Sequence, residues 1–441
     1  MRTGAGLRIV VEPSDYVLRN AGDTAMMQVA ITRLARRWPE AEIAVFSDVP
    51  ERFPRYAPNV TAVDAAGRRA WLRTPLVPVR LVPRRLVPLV SRASRWVRVH
   101  APQVALGVLA VRLGADERRR ARQHVRLLAQ ADVLLATGMG GVTDVFPEYA
   151  FELLETLDTA RRTGSVTVMV GQGIGPLDDP PLRRYASSVL RGVDLIALRE
   201  DRAGRPLLGH LGVDQRRVLT TGDDAIELAV DREPNAGRRD IGVNVRISDY
   251  AGLSDRVAAD IMERVRTAAD HLQVGLRGIA ISSVPGEEDA GALARVLGAE
   301  APTSIGPGVA WTTSLDGVID VIDVIAGCRV VVSGSYHAAV FALAMGVPTI
   351  GLAASPYYED KFLGLADQFG VGCDVVMLAA GDGADIADLV VHAWQEAPST
   401  SPLLVAAARR QVDLGRGSFA RIAELVEARV DRAAPAVGAV R

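Results

Sequence analysis

Lysine is almost missing from this chain of 441 residues: Lys361 stands alone, and arginine supplies every other basic side chain. Cysteine is scarce as well. Cys328 and Cys373 cannot build a disulfide framework or a metal site by themselves, and a reducing, cytoplasmic setting fits them. An excess of either charge is missing too. With 51 Lys+Arg against 52 Asp+Glu the formal net charge is -1, which predicts neither nucleic-acid binding nor an acidic partner. No apolar run reaches the roughly 18 residues of a membrane span, and the opening MRTGAGLRIVVEP has no signal-peptide core. The chain also lacks a nucleophile elbow, a P-loop and a paired-histidine metal signature, so no metal is expected. What is present is 49% hydrophobic content in alternating strand and helix patterns. That composition describes a globular α/β protein, and the length suggests two domains.

Leu7 to Val11 reads as a first strand. Asn20-Ala21-Gly22-Asp23 forms a turn, with Asp23 or Thr24 placed to cap a helix from Ala25 to Arg37. Glu42 to Ser47 is a second strand, so the chain opens as a doubly wound sheet. Residues 66–126 interrupt it. Arg68, Arg69, Arg73, Arg80, Arg84, Arg85, Arg92, Arg95 and Arg98 alternate there with Trp71, Leu81, Val82, Leu86, Val87, Leu89 and Trp96. This insertion reads as amphipathic helices, with three roles open: a solvated hairpin packed on the domain, a membrane-surface patch, or a lid over a substrate channel.

Alternation resumes at Ala131 to Ala136, a buried strand running into Thr137-Gly138-Met139-Gly140-Gly141-Val142. Open α/β sheets bind ligands at such carboxyl strand ends. Ser165 to Val170 leads likewise into Gly171-Gln172-Gly173-Ile174-Gly175-Pro176, which matches a dinucleotide fingerprint only loosely. Leu195 to Leu198 delivers Arg199 to the same edge, as a buried salt-bridge partner or an anion ligand. Thr221-Gly222-Asp223-Asp224-Ala225 closes a first domain, residues 1–233.

The linker Glu233 to Arg238 opens a second domain, residues 234–400. Ile241 to Val245 is its first strand and carries Arg246 at its end. A helix over Asp255–Leu272, a strand over Gly278–Ser282, a polar turn from Pro285 to Asp289 and a helix over Asp316–Cys328 follow. Asp316, Asp320 and Asp323 read as a solvated face rather than a metal site. Val330 to Val332 is then a buried strand, Ser333-Gly334-Ser335 a small-residue turn, and Tyr336 and His337 begin a short helix. Gly346-Val347-Pro348 breaks that helix before the strand Thr349–Leu352, and Lys361 closes the stretch. The unpaired N–H groups and partial positive charge of a helix start suit an anion beside His337. Ile386 to Trp394 and Leu403 to Val430 read as two helices. The second, over residues 401–432, can return to the first domain, and residues 433–441 form a flexible tail.

Glycine and basic residues thus gather at carboxyl strand ends on both sides of the linker, which implies a cleft between two domains. Its polar set is Arg199, Arg246, His337 and Lys361, with Asn20 and Asp23. It suits an anionic substrate handled by histidine acid–base chemistry, or plain binding of a nucleotide sugar.

In order and spacing these motifs resemble the polysaccharide pyruvyl transferases. The likeness runs from Asn20 to Gly370, with the arginine-rich insertion outside it. It rests on Asn20-x-Gly22-Asp23, Gly138-Met139-Gly140-Gly141, Gly171 to Pro176, Arg199-Glu200, Asp224-Ala225, Ser333 to Ala338, Gly346-Val347-Pro348 and Lys361. The resemblance implies two Rossmann-like doubly wound domains facing a cleft, as in the GT-B glycosyltransferases, with C-terminal helices. It also implies transfer of pyruvate from phosphoenolpyruvate to a sugar or glycan as a ketal, in exopolysaccharide or cell-wall glycan biosynthesis, with no cofactor beyond that co-substrate. By the same analogy His337 is the general acid. Arg199, Lys361, Ser335, Tyr336 and Arg246 bind the donor, and Asn20, Asp23, Gly138, Gly140, Gly141, Gln172 and Gly173 line the acceptor side of the cleft. A lipid-linked acceptor and peripheral contact with the inner face of a membrane are further options.

One position departs from the family. Its turn reads Ser-x-Arg-x-His, and here Ser335 stands where the arginine belongs. Loss of a bidentate charge-assisted contact costs on the order of 1.5–3 kcal/mol unless another cation replaces it. Arg246 and Arg329, on nearby strands, are the candidates. Two alternatives remain open on these grounds: a GT-B-type glycosyltransferase using a nucleotide sugar, and a non-catalytic relative that binds glycan.

Overall fold

The computed structural model describes residues 6–51, 60–232, 237, 239–246, 253–285, 288–297, 315–378 and 385–433. Most of the expected linker and residues 434–441 of the expected tail lie outside that set. Short apolar runs form two sheets. In the first, β1 (Arg8–Glu12), β2 (Glu42–Ser47), β3 (Val60–Asp64), β4 (Val133–Ala136), β5 (Val166–Gln172), β6 (Leu195–Leu198) and β7 (Val218–Thr220) take the order β3-β2-β1-β4-β5-β6-β7. In the second, β8 (Asp240–Asn244), β9 (Leu276–Gly278), β10 (Cys328–Ser333), β11 (Thr349–Ala353) and β12 (Cys373–Met377) take the order β12-β11-β10-β8-β9. Every pairing is parallel. Strands buried on both faces need continuous apolar runs, which is why Val133–Ala136 and Leu195–Leu198 carry no polar residue. The strand order reverses between β1 and β4 and again between β8 and β10. At such points neighbouring connections leave toward opposite faces and open a crevice at the carboxyl edge.

The helices of the first half are α1 (Ala21–Arg37), α2 (Ala66–Arg73), α3 (Val87–His100), α4 (Pro102–Ala110), α5 (Ala115–Gln130), α6 (Pro147–Arg162), α7 (Pro180–Leu190), α8 (Gly204–His210) and α9 (Ile226–Ala229). Those of the second are α10 (Asp255–Leu272), α11 (Asp289–Leu297), α12 (Leu315–Ala326), α13 (Tyr336–Ala344), α14 (Pro356–Phe369) and α15 (Ile386–Ala433). Helix α13 is buried along its whole length, as an apolar sequence on all sides requires. The core around it includes Ala25 and Met26 of α1, Ile226 of α9, Ile322 of α12 and Leu404 of α15, so one apolar mass joins both domains.

Four expectations change. Asn20, not Asp23 or Thr24, caps the first helix: its Oδ1 accepts from Gly22 N at 3.0 Å and Asp23 N at 3.3 Å. The helix therefore starts at Ala21, and Asp23 is left for the cleft. The strand expected at Gly278–Ser282 is β9, Leu276–Gly278, because beyond it Ile281 N and Ser282 N donate to the Asp289 carboxylate while Ser282 bridges to Asn20. The helix expected at Asp316–Cys328 ends at Ala326, and Cys328 begins β10. The two C-terminal helices are one, α15, which continues through Pro398 and Pro402. Proline has no N–H for the carbonyl four residues earlier. For Pro398 that carbonyl is Trp394 O, and it accepts instead from Arg329 Nε at 2.9 Å, with the guanidinium stacked on the Trp394 ring. Arg329 is thus spent on the helix and does not line the cleft, which removes it as a stand-in for the missing family arginine.

Candidate functional site

A cavity of about 330 Å³ lies between the carboxyl ends of the two sheets. Asn20, Asp23, Gly140, Arg199, Arg246, Ser335, Tyr336, His337 and Lys361, all expected from sequence, line it. Gly138, Gly141, Gln172 and Gly173 stand behind the wall. Gln172 Nε2 donates to Thr137 O at 2.6 Å and to Val170 O at 3.0 Å, which locks the β4 and β5 turns together. A side chain at Gly138 would strike Gly171 O, and one at Gly141 the Tyr149 ring.

The glycine turns have a shared cause in Arg199. A Cβ on Gly173 would lie 2.8 Å from Arg199 Nη2, and one on Gly140 would lie 3.2 Å from it. Only hydrogen fits where the guanidinium passes. Arg199 N donates to Gln172 O at 3.0 Å, and the guanidinium stacks 4.1 Å over the Tyr336 ring, a cation–π contact from one domain to the other. Its Nε and Nη2 are buried without a partner among the described residues.

His337 is positioned from both domains. It sits in the first turn of α13, whose Ser333-Gly334-Ser335 start is fixed by Ser333 Oγ, donating to Ser335 O at 2.8 Å and accepting from Ser335 N at 3.0 Å. Gly22 of α1 packs against the ring so closely that a Cβ there would lie 1.9 Å from His337 Cγ. Asp223 Oδ2 is 3.7 Å from His337 Nε2 and 3.8 Å from Arg199 Nη1, and like Nε2 it has no hydrogen bond among the described residues. Arg246 is held by Asp289, with Nε to Oδ1 at 2.8 Å. Asp289 also accepts from Asn244 Nδ2 at 3.0 Å. This fixed arginine is the cation that the cavity offers near Ser335. Lys361 Nζ rests 3.8 Å over the Tyr357 ring, whose hydroxyl donates to Gly140 O at 3.1 Å.

Burial sets the protonation states. His337 is held well below the ordinary histidine value by desolvation, then by Arg199, Lys361 and Arg246. Lys361 is held well below its own by desolvation and Arg199. Burial and the Asp15 charge push Asp23 up to about 7, and burial pushes Asp223 up to about 6. Four groups therefore titrate away from their usual ranges around one small space, which is how functional sites are commonly built. Among the described residues no three His, Cys, Asp or Glu side chains cluster so as to hold a metal ion.

Sequence reasoning passed over several lining residues. Asp223 lay in a quoted turn but looked no different from Asp224, which is bound to Arg33 with an Nη1–Oδ1 distance of 2.5 Å. Tyr357 and Tyr358 follow the β11 strand, where their aromatic pair was the available signal. Asp15 and Tyr16 sit in a loop without a motif. The Asp15 carboxylate caps the backbone N–H groups of Val17 and Leu18, and Tyr16 is held by Glu12.

The two parallel sheets, their facing carboxyl edges and the returning C-terminal helix define a GT-B-type architecture, shared with glycosyltransferases and epimerases. A glycosyltransferase from Rickettsia africae ESF-5 superposes with a TM-score of 0.54 at 9% identity, covering 96% of this chain and 98% of that one. A putative UDP-N-acetylglucosamine 2-epimerase from Listeria monocytogenes gives 0.53 at 12% identity, covering 96% and 97%. At such identities the likeness concerns the fold alone. No curated protein sequence matches the chain. Residues 20–356 match the family described as Polysaccharide pyruvyl transferase, and the chain belongs to that family. Family and fold together support a transferase that modifies glycans.

Proposed function

We propose that the cavity binds phosphoenolpyruvate and transfers its pyruvyl group to a diol of a sugar or glycan as a ketal. The observation that supports this most is the convergence of Arg199, Lys361 and Arg246 on His337 in one desolvated space. Carboxylate and phosphate oxygens match the unpartnered guanidinium nitrogens of Arg199 and the amine of Lys361. An anion with two charged groups would also offset the neighbouring positive charge that, after burial, holds His337 in its neutral form. Once charged, His337 can give its proton to the donor's methylene carbon, producing an oxocarbenium-like centre. One sugar hydroxyl attacks that carbon, the second displaces phosphate, and one hydroxyl proton leaves on the phosphate. The other returns to the histidine. Asp23, in the cavity wall, can hydrogen-bond the incoming hydroxyls.

Phosphate release dependent on a glycan acceptor tests this reading. His337→Asn should lower turnover by about 10²–10⁴-fold while donor binding persists. Full turnover in that variant would remove the acid role. The donor is tested separately by thermal shift with phosphoenolpyruvate against UDP- and GDP-sugars, where a ligand at 100 times its Kd stabilises by about 2.7 kcal/mol. A response to the nucleotide sugars alone would favour glycosyl transfer. Activity gained only in Ser335→Arg would favour a non-catalytic protein.

A further inference from the structure

We propose that the helical insertion between β3 and β4 is a docking surface for a membrane bearing anionic lipids. Residues 65–115 contain no aspartate or glutamate, yet they carry Arg68, Arg69, Arg73, Arg80, Arg84, Arg85, Arg92, Arg95, Arg98 and Arg112. The structure divides these arginines by task. Arg68 is buried between Glu12 and Glu152, Arg98 binds Glu155, Arg73 binds Glu152 and Arg69 binds Asp48. Arg95 lies over the Phe151 ring. This inner set consumes acids supplied by the rest of the domain and fastens the insertion to it.

The outer set has no such partners. Arg80, Arg84, Arg85 and Arg92 are exposed, and their side chains make no ion pair or hydrogen bond among the described residues. Large apolar side chains stand among them: Leu81 is 71% exposed, Leu89 62% and Trp96 58%. On α3, Leu89, Arg92 and Trp96 recur at helical spacing on one exposed face, whose C-terminal end Val99 tucks under, while Arg98 is buried on the opposite face. On α4, Ala105 and Leu109 face inward and Val104 and Val108 face out, and Val111, just past its end, is 89% exposed. Beside α3 runs a groove of about 210 Å³ walled by Val77, Val82, Val87 and Val90. Arg98 also lines it, and its Nη1 is buried without a partner among the described residues.

Exposed leucine, valine and tryptophan set among unneutralised arginines are the chemistry of an interfacial helix, apolar toward the acyl chains and cationic toward the headgroups. The groove offers an apolar slot with a guanidinium nitrogen for one anionic lipid. A second copy of the chain is disfavoured as occupant, because a two-fold contact would face this unrelieved positive patch against itself. Helix α2 connects the surface to the cavity, for Arg68 lies over the Tyr16 ring and Arg69 binds Asp48, and both of those residues line the cavity. An acceptor held in a bilayer would thus arrive beside the donor site. That last step rests on the proposed transfer, whereas the docking itself does not.

The test is flotation of the full chain with phosphatidylcholine vesicles made with and without phosphatidylglycerol, with no donor or acceptor present. Binding is expected only to the anionic vesicles, and it should weaken as salt is raised. The exposed double variant R84A/R85A should lose roughly tenfold or more in vesicle affinity, with an unchanged circular dichroism spectrum. Leu89→Ser combined with Trp96→Ser should lose binding even at low salt. Absence of flotation with anionic vesicles at low salt would overturn the proposal, as would equal binding by these variants. Self-association that Trp96→Ser abolishes, without any vesicle binding, would assign the face to a second copy instead.

Discussion

His337 and Lys361 are both held below their ordinary pKa values by burial and by neighbouring positive charge. An anion entering the cavity stabilises the charged form of each, so both pKa values rise on binding. Asp23 and Asp223 already titrate near neutrality, and added negative charge pushes them higher still. All four shifts have the same sign. The complex therefore holds more protons than the free protein, and donor affinity must fall as pH rises through the pKa values of the complex. Calorimetry in buffers of different ionisation heat should show net proton uptake near neutral pH. Proton release, or none, would contradict this account of the site. Arg246, locked on Asp289 just beyond β8, lines the cavity with Ser335, and we propose that it supplies the cation the turn before α13 does not.

At the scale of elements, the site depends on how α1 of one domain meets α13 of the other. Gly22 is the contact, with no room for a methyl group between the helix and the His337 ring. Gly22→Ala improves helix propensity by about 1 kcal/mol, so α1 should persist with an unchanged circular dichroism spectrum. Displacing the imidazole by an ångström should nevertheless cost about 100-fold in turnover. Equal activity in this variant would mean that His337 tolerates displacement. Elements governed by local pattern were legible in the sequence: β2 at Glu42–Ser47 and α10 at Asp255–Leu272 lie where apolar spacing puts them. Elements decided by distant partners were not. β9 ends early because Asp289 and Asn20 claim the backbone after it, and α15 passes Pro398 with Arg329 filling the gap at Trp394. The site divides in the same way. Most residues in turns with a motif were found, whereas Asp223 is set apart from Asp224 only by the approach of His337 from the other domain, and Asp15 by a local cap on Val17 and Leu18.

Across the whole molecule, α15 ties the parts together. Val390 belongs to the core of the second sheet, Leu404 and Val412 to the shared core, and Phe419 and Val426 to that of the first sheet. Among the described residues no helix is long and apolar enough to cross a membrane, so the proposed contact with lipid belongs to a surface and not to a span. One chain-wide property remains, the single lysine. Lys361 stands in the cavity wall, and burial and Arg199 hold its amine below the ordinary lysine range, which favours the uncharged, nucleophilic form over that of an exposed lysine. A small amine-directed acylating reagent has only the terminal amine and Lys361 to modify. Intact-mass spectrometry should show no more than two adducts, and peptide mapping should show the Lys361 adduct suppressed by saturating phosphoenolpyruvate. Undiminished labelling in its presence would place the donor elsewhere. The protein thus carries an inbuilt chemical handle, through which occupancy of the cleft can be counted without knowing the acceptor.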